Sequence, residues 1–294
     1  IEKILHPFVK EWFFSKFKEF SIPQKYGVLS IWERKNILIS APTGGTKTLT
    51  AFLSILNYLV NLADKNKLEN KVYAIYNSPL KALSNDIHKN LIEPLQEINE
   101  IAKKHDKKLQ EIRVGLRTGD TSASERSKML KNAPHILITT PESLSIVLTS
   151  KKFVEYFKEV EFCIIDEIHS LGNKRGVYLS LSLERLNEMS KTWPVKIGLS
   201  ATIEPLDEVA EFLTGYDEGN KNRIVEIAKI PFHKKLDIDV LSPVSDLILD
   251  EDSQHKMYHL IDNLVREHKT TLIFTNTRSA TERVVNYLKE KFPT

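Results

Sequence analysis

Lys47 and Thr48 open a helical pattern over residues 49–60, directly after an apolar run at 36–40 and a turn of small residues, Ala41-Pro42-Thr43-Gly44-Gly45-Thr46. A strand, a small-residue turn and a Lys-Thr helix start make a cradle for phosphate. Backbone N–H groups of the turn point inward, the lysine adds charge for the outer phosphates, and the threonine hydroxyl can ligand Mg2+. One position departs from that pattern: Thr46 stands where a glycine usually precedes the lysine. A Cβ there either crowds a phosphate or demands an unfavourable backbone angle. Taken alone, the segment stays open between a nucleotide loop and an ordinary strand–turn–helix.

A second stretch, Glu161-Phe162-Cys163-Ile164-Ile165-Asp166-Glu167-Ile168-His169, is an apolar run that ends in adjacent carboxylates. A buried strand holds a terminal aspartate still, as a Mg2+-associated carboxylate requires, and Glu167 can then orient and polarise an attacking water. An Asp-Glu pair by itself is no more than a strand running into an acidic turn. Combined with Lys47 on an earlier strand of the same sheet, it points to phosphoryl transfer. Ser200-Ala201-Thr202 ends a later apolar run and either senses the phosphate site or merely starts a turn. Upstream, Pro23-Gln24 offers an amide that can pair with an adenine edge, although on the residues alone a surface glutamine is the better reading.

Such groups need strands beneath them. Apolar runs at 36–40, 72–77, 112–116, 135–140, 161–166 and 195–200 alternate with longer segments of near-fourfold period, such as Leu83, Ile87, Leu91 and Leu95. The runs are apolar on both faces, which marks strands buried between two helix layers, so the expected fold is α/β with a doubly wound, mainly parallel sheet. Around residue 230 the pattern changes. A strand-like 236–241, an acidic link, a helix at 255–267, a strand at 270–275 and a helix at 280–290 read as the opening of a second α/β domain. The expected division is 1–230 and 231–294, with the thin second part melting first.

Hydrophobic residues make up 41% and charged residues 28%, so the chain is not a disordered one. A formal net charge of +3 excludes binding nucleic acid through a dense basic coat; any such partner must be gripped by placed groups. The single cysteine, Cys163, excludes an intrachain disulfide and a thiolate metal cluster, and reads as a small buried hydrophobe. No apolar run approaches the roughly 20 residues of a membrane span. Nor do the opening residues read as a signal peptide, so a cytoplasmic protein without a membrane partner is expected. The aromatic cluster Phe8, Trp12, Phe13, Phe14, Phe17 and Phe20 has helical spacing and reads as packing, while Lys174-Arg175 reads as a solvated loop.

The ordered set Gln24; residues 41–48; Ser78-Pro79-Leu80-Lys81-Ala82-Leu83; Arg117-Thr118-Gly119-Asp120; Thr140-Pro141-Glu142; Asp166-Glu167-Ile168-His169; Ser200-Ala201-Thr202; and Ile273-Phe274-Thr275-Asn276-Thr277-Arg278 resembles superfamily 2 DExH-type helicases. It is most similar to the large helicase-related (Lhr-type) and Ski2-like ATPases. The resemblance implies a RecA-like domain with ATP and Mg2+ as cofactors, followed by the start of a second. It gives Gln24 the adenine, and Thr43, Gly44, Gly45, Thr46, Lys47 and Thr48 the phosphates. Thr48 and Asp166 hold Mg2+, and Glu167 activates water. His169, Ser200, Ala201 and Thr202 couple nucleotide state to movement. Pro79, Lys81, Thr118, Gly119, Asp120, Thr140, Pro141 and Glu142, with Thr275 and Asn276 from the second domain, line a nucleic-acid track. Thr140-Pro141 also suits a helix start, Arg117 and Asp120 suit a turn, and His169 suits a structural histidine.

The implied activity is ATP-driven movement along a single strand by a monomeric motor, on single-stranded or partially duplex DNA, with RNA as the alternative. The implied arginine finger lies past Arg278, so slow or absent turnover is expected of these 294 residues alone; such fingers contribute roughly 10³–10⁵ in rate. A non-catalytic nucleic-acid-binding or scaffold module, with a loop degenerate at Thr46, remains the competing reading.

Overall fold

The structure, a computed structural model, describes the chain apart from residues 43–45, 80–83, 173, 218, 220, 231–236, 247–251 and 292–294. It divides into two compact units, Ile1–His233 and Lys234–Thr294.

The first unit is built on seven strands: β1 (Ile37–Ser40), β2 (Ala74–Asn77), β3 (Val114–Arg117), β4 (Ile136–Thr139), β5 (Phe162–Ile165), β6 (Val195–Ser200) and β7 (Glu226–Lys229). They form one sheet in the order β3-β4-β2-β5-β6-β1-β7, with every pairing parallel. The five inner strands are buried along their whole length, whereas β3 and β7 at the edges each bury a single residue. Continuous aliphatic and β-branched residues suit the inner strands because helices cover both faces.

Nine α-helices accompany the sheet among the described residues: α1 (Pro7–Lys16), α2 (Ile22–Trp32), α3 (Lys47–Asp64), α4 (Ser84–Ile87), α5 (Glu93–Lys104), α6 (Ala123–Lys131), α7 (Pro141–Val147), α8 (Lys174–Met189) and α9 (Leu206–Thr214). Side chains that alternate along the strands feed two separate cores. One holds Ile37, Ile39, Tyr76, Ile164 and Ile197 with α1, α3 and α5. The other holds Leu38, Ile75, Cys163 and Ile165 with α7, α8 and α9. Phe8, Trp12, Phe13 and Phe20 are buried in the first core with Phe14 and Phe17 packed against it, so the aromatic cluster is packing. Cys163 is free and fully buried, and burial pushes its thiol up to about 12.

The second unit contains α10 (Ser253–Glu267) and α11 (Arg278–Lys291), joined by the stacked rings of Tyr258 and Tyr287 at 4.6 Å. Two expected strands are corrected here. Residues 237–241 and 270–275 carry no strand pairing. A β-run forms a strand only when a neighbour accepts its ladder, and none of the described residues supplies one. Across the described residues no helix is long and apolar enough to cross a membrane.

Candidate functional site

The carboxyl ends of β1, β5 and β6 adjoin, with β6 between the other two, and ligands in open α/β sheets settle at such an edge. The ladder continues past the strands: the Ala41 N–H donates to Ser200 O at 3.1 Å and the Asp166 N–H to Asn77 O at 2.8 Å. Both motif-bearing segments are therefore fixed by backbone bonds where they leave the sheet.

Lys47 begins α3 and is buried. Its ammonium donates to Ala41 O at 2.7 Å and Pro42 O at 2.8 Å, so it is turned into its own loop. Burial holds its pKa below the usual lysine range, opposed by the charges of Glu167 and Asp166. Thr48, the next residue, donates its hydroxyl to Asp166 Oδ2 at 3.3 Å. The same oxygen accepts the Tyr76 hydroxyl at 2.5 Å, and Oδ1 accepts the Glu167 N–H at 2.8 Å. Asp166 is thus held through both oxygens by three donors while 4% exposed. Burial nonetheless drives its pKa above the ordinary aspartate value, against those donors and Lys47. A buried carboxylate of that kind is short of positive charge, and with the Thr48 hydroxyl beside it the oxygen set fits Mg2+. Among the described residues no cluster of three or more His, Cys, Asp or Glu assembles.

Glu167 adopts a left-handed backbone, φ 53° and ψ 37°. Its carboxylate lies 3.0 Å from His169 Nε2. On the other side of that ring, Nδ1 accepts the Ala201 N–H at 3.2 Å and has the Ser200 hydroxyl at 3.5 Å. A backbone N–H can only donate, so the ring proton belongs on Nε2, facing Glu167. His169 therefore joins the acidic segment after β5 to the turn after β6, while Thr202 is exposed.

Gln24 corrects the expectation of a surface residue: it is 2% exposed. Its Oε1 accepts the Ser21 N–H at 2.8 Å, which fixes the start of α2. The Ser21 hydroxyl in turn meets the Thr46 hydroxyl at 2.6 Å. Thr46 has φ 59°, the left-handed conformation its Cβ resists, at a cost on the order of 1–3 kcal/mol.

Farther along the edge, Thr140 caps α7 through its hydroxyl to the Ser143 N–H, with Pro141 at the first turn. The turn at Thr118-Gly119-Asp120 is pinned by Thr121, whose hydroxyl accepts the Thr118 N–H at 2.8 Å. Arg126 closes it by donating to Gly119 O at 3.1 Å and Thr121 O at 2.8 Å. Beyond Gly119 a Cβ would meet open space.

Lys174 and Arg175 are not a loop; they form the first turn of α8. Arg175 donates Nε to Glu142 Oε1 at 2.5 Å, and Nη2 to Pro79 O at 2.8 Å and Glu142 Oε2 at 3.3 Å. It holds the Glu142 carboxyl below the usual range. At this edge sequence reasoning passed over Tyr76 and misread Arg175 as part of a solvated loop. For Tyr76 the usable signal was a phenol on an otherwise aliphatic strand, with the parity that faces Asp166; Arg175 gave none, since its role depends on where α8 begins.

Thr43, Gly44, Gly45 and Lys81 lie outside the described residues. Thr275 and Asn276 belong to the second unit, where the Thr275 hydroxyl meets that of Thr281 at 2.6 Å ahead of α11.

Comparison with known proteins returns the DEAD/DEAH box helicase family over residues 21–211. The chain is 53% identical over 292 residues to the "ATP-dependent helicase Lhr-Core" of Methanocaldococcus jannaschii, covering 99% of this chain and 34% of that protein. It is 52% identical to the protein of the same name from Methanothermobacter thermautotrophicus, again over 34% of its length. Among solved structures, Mycobacterium smegmatis helicase Lhr bound to ssDNA and AMP-PNP superposes with a TM-score of 0.82 at 36% identity, covering 98% of this chain and 36% of that one. The chain thus spans about a third of the length of the relatives it matches.

Proposed function

The chain belongs to the DEAD/DEAH box helicase family, and from that premise we propose that it is the ATP-binding part of an Lhr-type, superfamily 2 motor that moves along single-stranded DNA. The observation that carries this reading is the junction at Asp166. There Thr48 from the phosphate loop, Tyr76 from β2 and the Glu167 N–H converge on one buried carboxylate. A non-catalytic module has no physical need to keep an uncompensated acid buried beside a P-loop lysine.

In this reading Gln24 reads adenine, residues 43–48 embrace the phosphates, and Thr48 with Asp166 holds Mg2+, which supplies charge neutralisation to the phosphate oxygens when bound. Lys47 leaves its two loop carbonyls for the outer phosphates. Glu167 orients the attacking water, its rotamer fixed by the proton on His169 Nε2. His169 passes the state of that carboxylate to Ser200-Ala201 and the exposed Thr202. Pro79, Lys81, Thr118–Asp120 and Thr140–Glu142 line the nucleic-acid path, and residues 231–294, with Thr275 and Asn276, open a second RecA-like domain. The relative solved with ssDNA and AMP-PNP supports DNA and ATP as the ligands. The motor acts as a monomer, and residues 1–294 alone turn ATP over slowly.

Titration with Mg2+-ATP, with and without single-stranded DNA, tests the reading. Saturable binding that disappears in Lys47→Ala is expected, with Thr46→Gly binding at least as tightly because the backbone strain is relieved. No binding by either the wild type or Thr46→Gly, in folded protein and up to millimolar ATP, would overturn it in favour of a scaffold.

A further inference from the structure

A motor needs its nucleotide site and its nucleic-acid path to be mechanically joined, and within the first unit Arg175 is placed to serve that joint. Arg175 bonds at once to the backbone of Pro79, just past β2, and to the carboxylate of Glu142, in the first turn of α7. Those two segments belong to the proposed nucleic-acid path, and Arg175 ties them together.

Upstream, Arg175 is attached to the nucleotide side through very short chain. The segment after Glu167 runs as a tight turn, Ile168–Leu171, which carries His169. Ile168 and Leu171 are buried in the same core as Leu179, Leu183 and Leu186 of α8. At Gly176, adjacent to Arg175, a Cβ would run into the carbonyl oxygen of Leu171. The first turn of α8 therefore sits on the backbone of the turn that bears His169, with no side chain between them to absorb a displacement. Packed elements of this kind move together rather than deform.

We propose that Arg175 is a positioning residue that couples the nucleotide state sensed at Glu167 and His169 to the nucleic-acid path, by carrying movement of the start of α8 to Pro79 and Glu142. The inference rests on the motor reading given above. An arginine is suited to the task because its planar fork makes several directed bonds at once, which a lysine cannot reproduce.

The test uses the full-length protein and compares Arg175→Ala, Arg175→Lys, Glu142→Gln and the Arg175→Ala/Glu142→Gln double variant. ATPase is measured over a single-stranded DNA titration, and hydrogen exchange is followed at the first turn of α7 with and without nucleotide. For both Arg175 variants the expected result is an unchanged KM for ATP and an unchanged DNA-free rate. Their DNA-stimulated kcat falls about tenfold, and nucleotide-dependent exchange at α7 is lost. The double variant is no worse than Arg175→Ala. Full stimulation in Arg175→Lys, or losses that add in the double variant, overturns the inference. So does a fall in melting temperature with nucleotide-dependent exchange retained, which marks a purely structural contact. A wild-type protein that DNA does not stimulate removes the motor reading itself, and the coupling with it.

Discussion

At the scale of single residues, Asp166 sets function against stability. Its carboxylate is buried, accepts three hydrogen bonds, and still has its pKa raised because burial outweighs them. A folded-state pKa above the unfolded value of 3.8 means that this group favours folding below that value, a contribution lost as pH rises through the folded pKa. At neutral pH the nucleotide-free protein therefore carries an unfavourable charge. Asp166→Asn removes it at the cost of one acceptor, since the Tyr76 and Thr48 hydroxyls now donate to Oδ2 and would have to turn. The amide oxygen still accepts the Glu167 N–H, and the amide nitrogen can donate to the Tyr76 and Thr48 hydroxyls, which turn to accept. The nucleotide-free variant should gain roughly 1 kcal/mol, or about 2–4 °C in melting temperature, while losing ATP turnover; calorimetry at pH 7 checks it, and a lower melting temperature would show the donors outweigh burial. That Lys47, Thr48, Asp166 and Glu167 come together was legible in the sequence, because each sits where an apolar run leaves the sheet. The strain at Thr46 was legible too, since a Cβ at a glycine position has few backbone options. The burial of Gln24 was not, because two residues from an exposed Tyr26 nothing local distinguishes an inward from an outward glutamine.

Helices and strands depend on a polar joint beneath α8 and α9. Lys196 on β6 is 3% exposed, donates to Thr214 O at 3.2 Å and lies 3.7 Å from Glu184. Arg223 serves the same partners, with bonds of 2.9 and 3.2 Å to Glu184 and 2.7 Å to Thr214 O. Burial brings the Lys196 pKa down to about 8. For a base with a depressed folded pKa, the favourable contribution is complete above the unfolded value of 10.5 and is lost as pH falls through about 8. At pH 7 the folded protein thus holds a costly ammonium whose work Arg223 already does. Lys196→Met should stabilise by roughly 1–3 kcal/mol at pH 7, a gain that shrinks by pH 10. Denaturant unfolding at the two pH values measures it, and destabilisation at pH 7 would make Lys196 a net attractive partner. The six inner and edge strands through β6 were legible as runs apolar on both faces. β7 was not: Glu226-Ile227-Ala228-Lys229 buries only Ala228, so an edge strand of four residues looks like the end of a pattern. The first turn of α8 was hidden for a related reason, since Lys174-Arg175-Gly176 has the composition of a loop and its helicity comes from packing on Leu171.

Over the whole molecule, stability is divided very unevenly between the two units. Among the described residues of 234–294, Val284 is the sole buried apolar side chain, whereas the first unit buries two full clusters on either side of its sheet. Burying one aliphatic side chain contributes about 1.5–3 kcal/mol, while ordering each residue costs roughly 1–2 kcal/mol of backbone entropy. Two helices of 15 and 14 residues cannot be held firmly on those terms. The β-runs of this unit make the point from the other side: Ile238, Val240, Leu272 and Phe274 are 76–98% exposed, the side chains a sheet would bury. Amides of α10 and α11 should therefore exchange within minutes at 25 °C, while those of β2 and β5 persist for hours or longer. Limited proteolysis should leave a resistant core ending near His233. Exchange in α10 as slow as in β5 would contradict this and require a core the described residues do not contain. The exposed side chains add a check on the same fragment, because dyes that fluoresce on apolar surface should bind the 294-residue chain and bind much less after removal of 234–294. Undiminished fluorescence would instead place the accessible apolar surface on the first unit, where Val177, Tyr178 and Leu181 of α8 and Ile22, Tyr26 and Leu29 of α2 are the exposed candidates.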